Sequence, residues 1–464
     1  MVGFWFSGDG EEFEYDVRGL LGAFFPGEPL QKLTGAPETP GDFDFRYAVP
    51  APDRTRPYED IKNAWKRRIY DELSAATGRQ LPWGTLTGIR PTKLIMQKLE
   101  AGERPVQVAE EMRRSYYLDG EKLSLAIATA QKERAVLART HGAEGFSLYA
   151  GIPFCPSRCA YCSFTAYPLA AFRDQVDSYL DTLIYEMEQS RPLFGGRPPD
   201  TVYIGGGTPT SLSPAQLERL LTAIGRIFPA GNLLEFTVEA GRPDSITADK
   251  LAVLKDHAVS RISINPQTMQ QKTLDRIGRL HTVEDFLKAY DLARSMGFDN
   301  INMDLILGLP GETAADVEDT LRRLKPLEPD DLTVHALAIK RASRLRMEAN
   351  GTVVAGLGQK ESDAMMRAAS EGAAAMGLFP YYLYRQKNMA GNLENVGYAS
   401  PGKEGVYNVL IMEEKQSILA VGAGNISKAV YPDGRIERAD NVKELGDYKN
   451  RIEEMLERKR RLWL

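Results

Sequence analysis

Tyr149-Ala150-Gly151-Ile152-Pro153-Phe154-Cys155-Pro156-Ser157-Arg158-Cys159-Ala160-Tyr161-Cys162 is the stretch on which the reading of this 464-residue chain turns. The chain has three cysteines, and all lie here as C-x3-C-x2-C. Such spacing is useless as a disulfide framework and suits a metal. Thiolates bind iron well, and a four-iron cubane held by three cysteines keeps one iron without a protein ligand, a place for chemistry. A zinc knot is the competing reading. Structural zinc takes four closed ligands, and the nearest histidine in sequence, His141, precedes the strand that leads into the run.

Outward from that run, from Phe146 on, short β-branched or aromatic stretches alternate with amphipathic ones. Strands are expected at 147–150, 201–204, 234–238, 259–264, 300–306 and 331–337. Ser213-Pro214-Ala215-Gln216 opens a helix between them, with an N-cap, proline at the first helical position and glutamine three residues after the cap. Thr282-Val283-Glu284-Asp285 opens another. Six βα units in a row predict a parallel sheet with catalytic groups in the loops after the strand C-terminal ends. Six is short of eight, so the fold class is α/β with a partial (β/α)6 barrel over 146–344. An N-terminal α/β arm, 1–145, precedes it, and a C-terminal α+β extension, 345–464, follows to cover the substrate. In the arm, aromatic runs at 4–6 and 43–47 predict an antiparallel strand or two, and helices are expected at 57–77, 91–101 and 120–140. The extension carries a helix near 359–376, an aromatic strand at 381–384, a Gly/Asn-rich loop and a last helix. Its Arg458-Lys459-Arg460-Arg461 run reads as a solvated end favoured by the macrodipole.

Composition removes several classes. With 43% hydrophobic and 26% charged residues the chain is not disordered, collagen-like or a disulfide scaffold. Lys+Arg 58 against Asp+Glu 63, a formal charge of -5, leaves no global basic field for nucleic acid or an anionic membrane. An anionic ligand then needs a local basic pocket. No uncharged apolar run approaches the roughly 18 residues of a membrane span, and the first residues lack a signal peptide's basic region and long apolar run. A cytoplasmic protein is expected.

The cysteine run and the Tyr149–Phe154 residues before it resemble the radical S-adenosylmethionine (SAM) enzymes. Within them the resemblance is closest to the oxygen-independent coproporphyrinogen III dehydrogenases, the HemN/HemZ group, and to its HemZ type. It implies a 4Fe-4S cluster on Cys155, Cys159 and Cys162, with SAM chelating the open iron and cleaved there to a 5'-deoxyadenosyl radical. Further motifs match in order. Gly205-Gly206-Gly207-Thr208-Pro209 resembles the family's GGGTP segment, which assigns Gly206, Gly207 and Thr208 to SAM. Glu239 resembles the SAM-binding glutamate, Gln267 the SAM-contacting glutamine, Arg279 the arginine that pairs with a SAM carboxylate and Asp304 the ribose-binding aspartate. Ala338 and Ile426 join the implied SAM contacts, and Tyr149 and Glu239 are the implied catalytic pair. A charge in an apolar strand needs a partner, which supports a ligand role for Asp304.

The implied reaction removes a β-hydrogen from substrate propionates, then carbon dioxide and one electron, leaving a vinyl group. Coproporphyrinogen III, a tetrapyrrole, has four carboxylates, and Arg90, Lys93, Arg158, Arg385 and Lys387 are the basic candidates to meet them. A donor such as flavodoxin or ferredoxin would supply the electron. Three positions bear on the branch. Glu394-Asn395-Val396-Gly397-Tyr398 resembles the His-Asn-x-x-Tyr of the HemW heme chaperones with glutamate for histidine. Ile426 stands where those proteins carry a second histidine, and Phe164 stands where HemN has an extra cysteine. Two alternatives remain: a HemW-type heme carrier, for which His335 is the histidine expected to face the cavity, and another radical SAM tetrapyrrole-modifying enzyme or methyltransferase.

Overall fold

In this computed structural model of the chain, which describes all residues except 37–42, 89, 230, 232, 339–357, 386–392 and 464, the first strands already depart from expectation. Strands β1 (Val2–Phe6), β2 (Leu30–Lys32) and β3 (Phe45–Val49) run parallel in the order β2-β1-β3, not antiparallel. Parallel neighbours need a crossover. Helix α1 (Glu14–Phe24) supplies it, burying Val17, Leu20, Leu21 and Phe24. Helix α2 (Tyr58–Thr77) adds Trp65 and Ile69, and this first apolar core ends at Leu81.

From Trp83 onward the helices pack against the barrel instead. Helices α3 (Thr92–Glu100), α4 (Pro105–Tyr116) and α5 (Gly120–Leu137) contribute Ile95, Val108, Leu123 and Ala126 to the main core. Helix α4 was not expected. Its N-cap is Arg104, outside the usual Ser/Thr/Asp/Asn set, which left Pro105 at the first helical position and Gln107 three residues after the cap as its start signals.

The six expected runs form β4 (Phe146–Ile152), β7 (Thr201–Gly206), β8 (Glu235–Glu239), β9 (Arg261–Ser263), β10 (Ile301–Leu307) and β11 (Asp331–Ala336). The short pair β5 (Phe154–Cys155) and β6 (Tyr167–Pro168) lies between the first two. Both capping boxes form: the hydroxyl of Ser213 accepts from the Gln216 amide at 3.2 Å, and that of Thr282 from the Asp285 amide at 3.1 Å. The six strands are parallel, as expected.

The sheet continues past them. Strands β12 (Phe379–Tyr384), β13 (Asn395–Ala399), β14 (Ser417–Val421), β15 (Ile426–Val430) and β16 (Ile436–Asp440) complete an eleven-stranded order, β12-β13-β11-β10-β9-β8-β7-β4-β14-β15-β16. It does not close on itself, so the barrel is partial. Strand β14 runs parallel to β4 as a seventh parallel strand, and β13 runs antiparallel to β11. The C-terminal residues therefore flank the six-strand core on both sides within one sheet.

A buried acid sits where the arm meets these strands. Glu133 of α5 is fully buried, and neither carboxyl oxygen makes a hydrogen bond of good geometry among the described residues. Burial, reinforced by nearby Glu413, holds it well above its ordinary 4.5, with a small opposing contribution from the Leu383 backbone. Folded Glu133 therefore keeps a proton that the unfolded chain releases above about pH 4.5, so its cost is absent in acid and grows as pH rises toward neutrality. Glu133→Gln is expected to stabilise by about 1–3 kcal/mol near pH 7 and to change nothing near pH 4. Melting midpoints at the two pH values check this; equal midpoints at both would contradict it.

Candidate functional site

Side chains alternate along a strand, so register decides which of them share a face. Tyr149 pairs with Tyr203, Tyr203 with Thr237, Glu239 with Ser263, Ser263 lies two residues from Arg261, and Asn302 and Asp304 lie on one face of β10. Asp304 pairs with Thr333, two residues before His335. This polar face lines a cavity of about 940 Å³, into which the loops after the strands also open. Every cysteine and every SAM-contact residue expected from sequence, Ala338 and Ile426 included, lines that one cavity.

Cys155 ends β5, and the other two cysteines follow in the loop to β6. The turn after β7 is pressed against this loop. The amides of Gly207 and Thr208 donate to the carbonyls of Ile152 and Phe154, both at 2.8 Å. A Cβ on Gly207 would stand 2.7 Å from the Phe154 oxygen and 3.1 Å from the Cys155 sulfur, so only glycine permits the approach. Thr208 Oγ1 lies 3.4 Å from Cys155 Sγ. Burial pushes the Cys155 thiol up to about 11 and raises Cys162 as well. A bound cation reverses that preference by its own charge. Among the described residues no three His, Cys, Asp or Glu side chains converge on a single metal ion. A cubane places each thiolate on a different iron and needs no such convergence.

The rest of the wall is polar and partly unsatisfied. Glu239 accepts from Tyr203 Oη at 2.7 Å, and its burial pushes the carboxyl up to about 7. Tyr149, Tyr203 and Tyr407 form a cluster of mutually stacked rings, with centroids 4.5 to 5.9 Å apart. Tyr407 is set by buried Glu235, whose carboxylate accepts the Val406 amide at 2.6 Å and so caps the helix Val406–Glu413. Asp304 accepts from Asn265 at 2.7 Å and Asn302 at 2.8 Å. Burial raises it, but His335 and Asn302 outweigh that and leave it below the usual carboxylate range. Gln267 has φ of 64°, a left-handed conformation, held by its amide donating to Asp304 O and by its carbonyl accepting from Ile306. Such strain is kept only where the surroundings over-determine it. Arg279 donates to Gly241 O at 2.9 Å and to Tyr161 Oη at 3.3 Å, beside the cysteines. Gln267 Oε1, Ser263 Oγ and Arg279 Nε are buried without a hydrogen-bond partner among the described residues. These orphaned atoms, with the three thiols, fit a polar ligand and a metal cluster.

Of the basic substrate candidates among the described residues, only Arg158 lines the cavity. Arg385 is buried against the arm, donating to Leu86 O at 2.8 Å and lying over the Trp83 ring. Arg90 donates to Met412 O and pairs with Glu414, and Lys93 is exposed on α3. Lys387 lies outside the described residues. Glu394 is also away from the cavity, buried and paired with Lys122 and the Trp83 indole. Sequence reasoning missed Arg242, which grips Asp244 through two nitrogens and reaches Ser157 and, at 3.6 Å, Cys159 Sγ. Its position just beyond the C-terminal end of β8 was the available signal.

A profile of the radical SAM superfamily matches residues 149–324. The chain is 42% identical over 416 residues to the oxygen-independent coproporphyrinogen-III oxidase-like protein HemZ of Bacillus subtilis, across 88% of this chain and 83% of that protein. It belongs to the radical SAM superfamily and, within it, to the HemZ family. Its cofactors are accordingly a 4Fe-4S cluster and SAM. The heme chaperone HemW of Bacillus subtilis is 40% identical over 195 residues, 42% of this chain and 51% of that protein. Coproporphyrinogen III oxidase HemN from Escherichia coli shares the fold, with a TM-score of 0.56 and 24% identity over 69% of this chain and 72% of that one. No helix among the described residues is long and apolar enough to cross a membrane.

Proposed function

We propose that this chain is a radical SAM oxidoreductase that converts propionates of coproporphyrinogen III to vinyl groups without oxygen. The observation that carries the reading is the similarity to HemZ along nearly the whole chain, joined to a cavity lined by every expected cluster and SAM residue. When bound, cluster and SAM supply one-electron reductive cleavage and abstraction of a hydrogen atom. The chain's own residues bind and orient. Cys155, Cys159 and Cys162 hold the cluster. The orphaned Gln267 Oε1 and Arg279 Nε turn to SAM, the Asp304 carboxylate to its ribose and Glu239 to its amino group, while Gly206, Gly207 and Thr208 let the backbone come close. Tyr149, stacked on Tyr203, adds a ring face to this otherwise polar wall and helps keep water from the reacting carbon.

The test is an anaerobic reaction of reconstituted protein with SAM, a reductant and coproporphyrinogen III, following deoxyadenosine and vinyl product together. Deoxyadenosine is expected in proportion to decarboxylated propionate. A HemW-type carrier would instead show a sharp Soret band at one heme per chain, lost in His335→Ala, and no vinyl product. Neither Glu394, paired away from the cavity, nor Ile426 offers heme iron an imidazole.

A further inference from the structure

Beyond the SAM residues the cavity extends over the antiparallel strands β14, β15 and β16. Register places Ile418 opposite Lys428 and Lys428 opposite Arg438, so these three share one face, and all three line the cavity. Ile426 lies two residues along the same face of β15.

The charges there do not balance. Glu414 Oε1 is shared by Lys428 Nζ at 3.1 Å and a guanidinium nitrogen of Arg438 at 2.8 Å, while Oε2 meets Arg90 at 3.0 Å. Three cations surround one carboxylate. The adjacent Glu413 does not restore balance, since burial raises it toward its neutral form. Lys428 is held below its ordinary value by burial and by crowding from Arg438 and Arg90, against the opposing pull of Glu414. An anion arriving at this face would relieve that crowding. Lys428 is only 12% exposed, whereas Arg438 is 51% exposed and can swing to meet a ligand.

The same cavity also exposes apolar surface, with Ile426 49% and Phe164 66% exposed. Isolated exposed apolar residues need no explanation, but here they border a cation cluster inside one concave site. A ligand with an apolar ring and carboxylates at its edge matches both features.

We propose that Lys428 and Arg438 receive a propionate carboxylate of the tetrapyrrole and set which edge of the ring faces the reacting centre. This rests on the tetrapyrrole reading above. Arg90 acts behind them, taking the other oxygen of Glu414, so that this one carboxylate is shared among three cations and leaves net positive charge at the cavity.

The experiment is anaerobic titration of the reconstituted holoprotein with coproporphyrin III, the fluorescent oxidised relative of the substrate, read as quenching. Arg438→Gln is expected to weaken binding roughly ten-fold and Arg438→Glu roughly a hundred-fold, as loss and then reversal of a charge-assisted contact. Lys428→Met should act in the same direction. Mesoporphyrin, with two carboxylates, should lose less in the same variants. Iron content and melting midpoint report folding, and the exposure of Arg438 makes its variants safe on that count. Variants that bind coproporphyrin III as tightly as the wild type would overturn the assignment, as would variants that lose SAM affinity instead. A wild-type protein that binds neither porphyrin would remove the tetrapyrrole reading itself.

Discussion

Cys159→Ala is expected to leave the anaerobically reconstituted chain with background iron and no SAM cleavage. The three thiols are the chain's whole supply, so no spare cysteine can step in. Cys159 is the most enclosed of them: it is buried, its carbonyl accepts the Cys162 amide at 3.2 Å, the next amide is tied to Ile277 O at 2.9 Å, and Arg242 reaches its sulfur. Those backbone ties do not depend on the thiol, so the loop should keep its path and the melting midpoint of the apoprotein should barely move. The effect is therefore on the cluster and not on folding. About four irons per chain in the wild type, against background in the variant, is the readout, with deoxyadenosine release as its functional counterpart. Full iron content and undiminished cleavage in Cys159→Ala would discard the cluster assignment.

The parallel barrel was legible because its strands are short apolar runs separated by helices with side-chain start signals, as at Ser213 and Thr282. The site was legible where a motif is local in sequence, as in the cysteine loop and the glycine turn. What could not be read depends on distant partners. Parallel pairing of β1 with β2 and β3 is decided by the α1 crossover, and aromatic runs alone do not distinguish it from a hairpin. Arg385 and Arg90 carry the charge a substrate carboxylate needs, but Trp83 with Leu86 O claims one and Met412 with Glu414 claims the other. Conversely Lys428 and Arg438 sit in unremarked strands, and only the register across β14, β15 and β16 brings them to the cavity. A cationic side chain announces its charge in the sequence and not which carboxylate it meets.

The run Arg458-Lys459-Arg460-Arg461 shows the same limit with a measurable consequence. Arg460 and Arg461 are partly or fully solvent-facing and, among the described residues, pair only with Glu457 one turn away, as a solvated helix end would. Lys459, 1% exposed, is not: its ammonium lies 2.6 Å from buried Glu186 and 2.7 Å from Asn441 Oδ1. Glu186 also accepts from Asn441 Nδ2, Tyr448 Oη and the Gly422 amide, all at 2.6 to 2.7 Å. This carboxylate thus joins the helix Val176–Ser190, the helix Ile452–Trp463 and the Gly422–Asn425 loop at the cavity wall. Lys459→Met would leave Glu186 charged, buried and short of its counter-ion, a loss expected to cost about 3–5 kcal/mol. Arg460→Ala and Arg461→Ala should each stay within about 0.5 kcal/mol. The double variant Glu186→Gln/Lys459→Met should recover part of the loss, because no uncompensated charge remains, although the Gly422 amide then keeps only a neutral acceptor. Thermal midpoints of the four variants give the ordering directly. If Lys459→Met melts with the two arginine variants, the lysine is solvated after all and the network around Glu186 is held by Asn441, Tyr448 and the Gly422 amide.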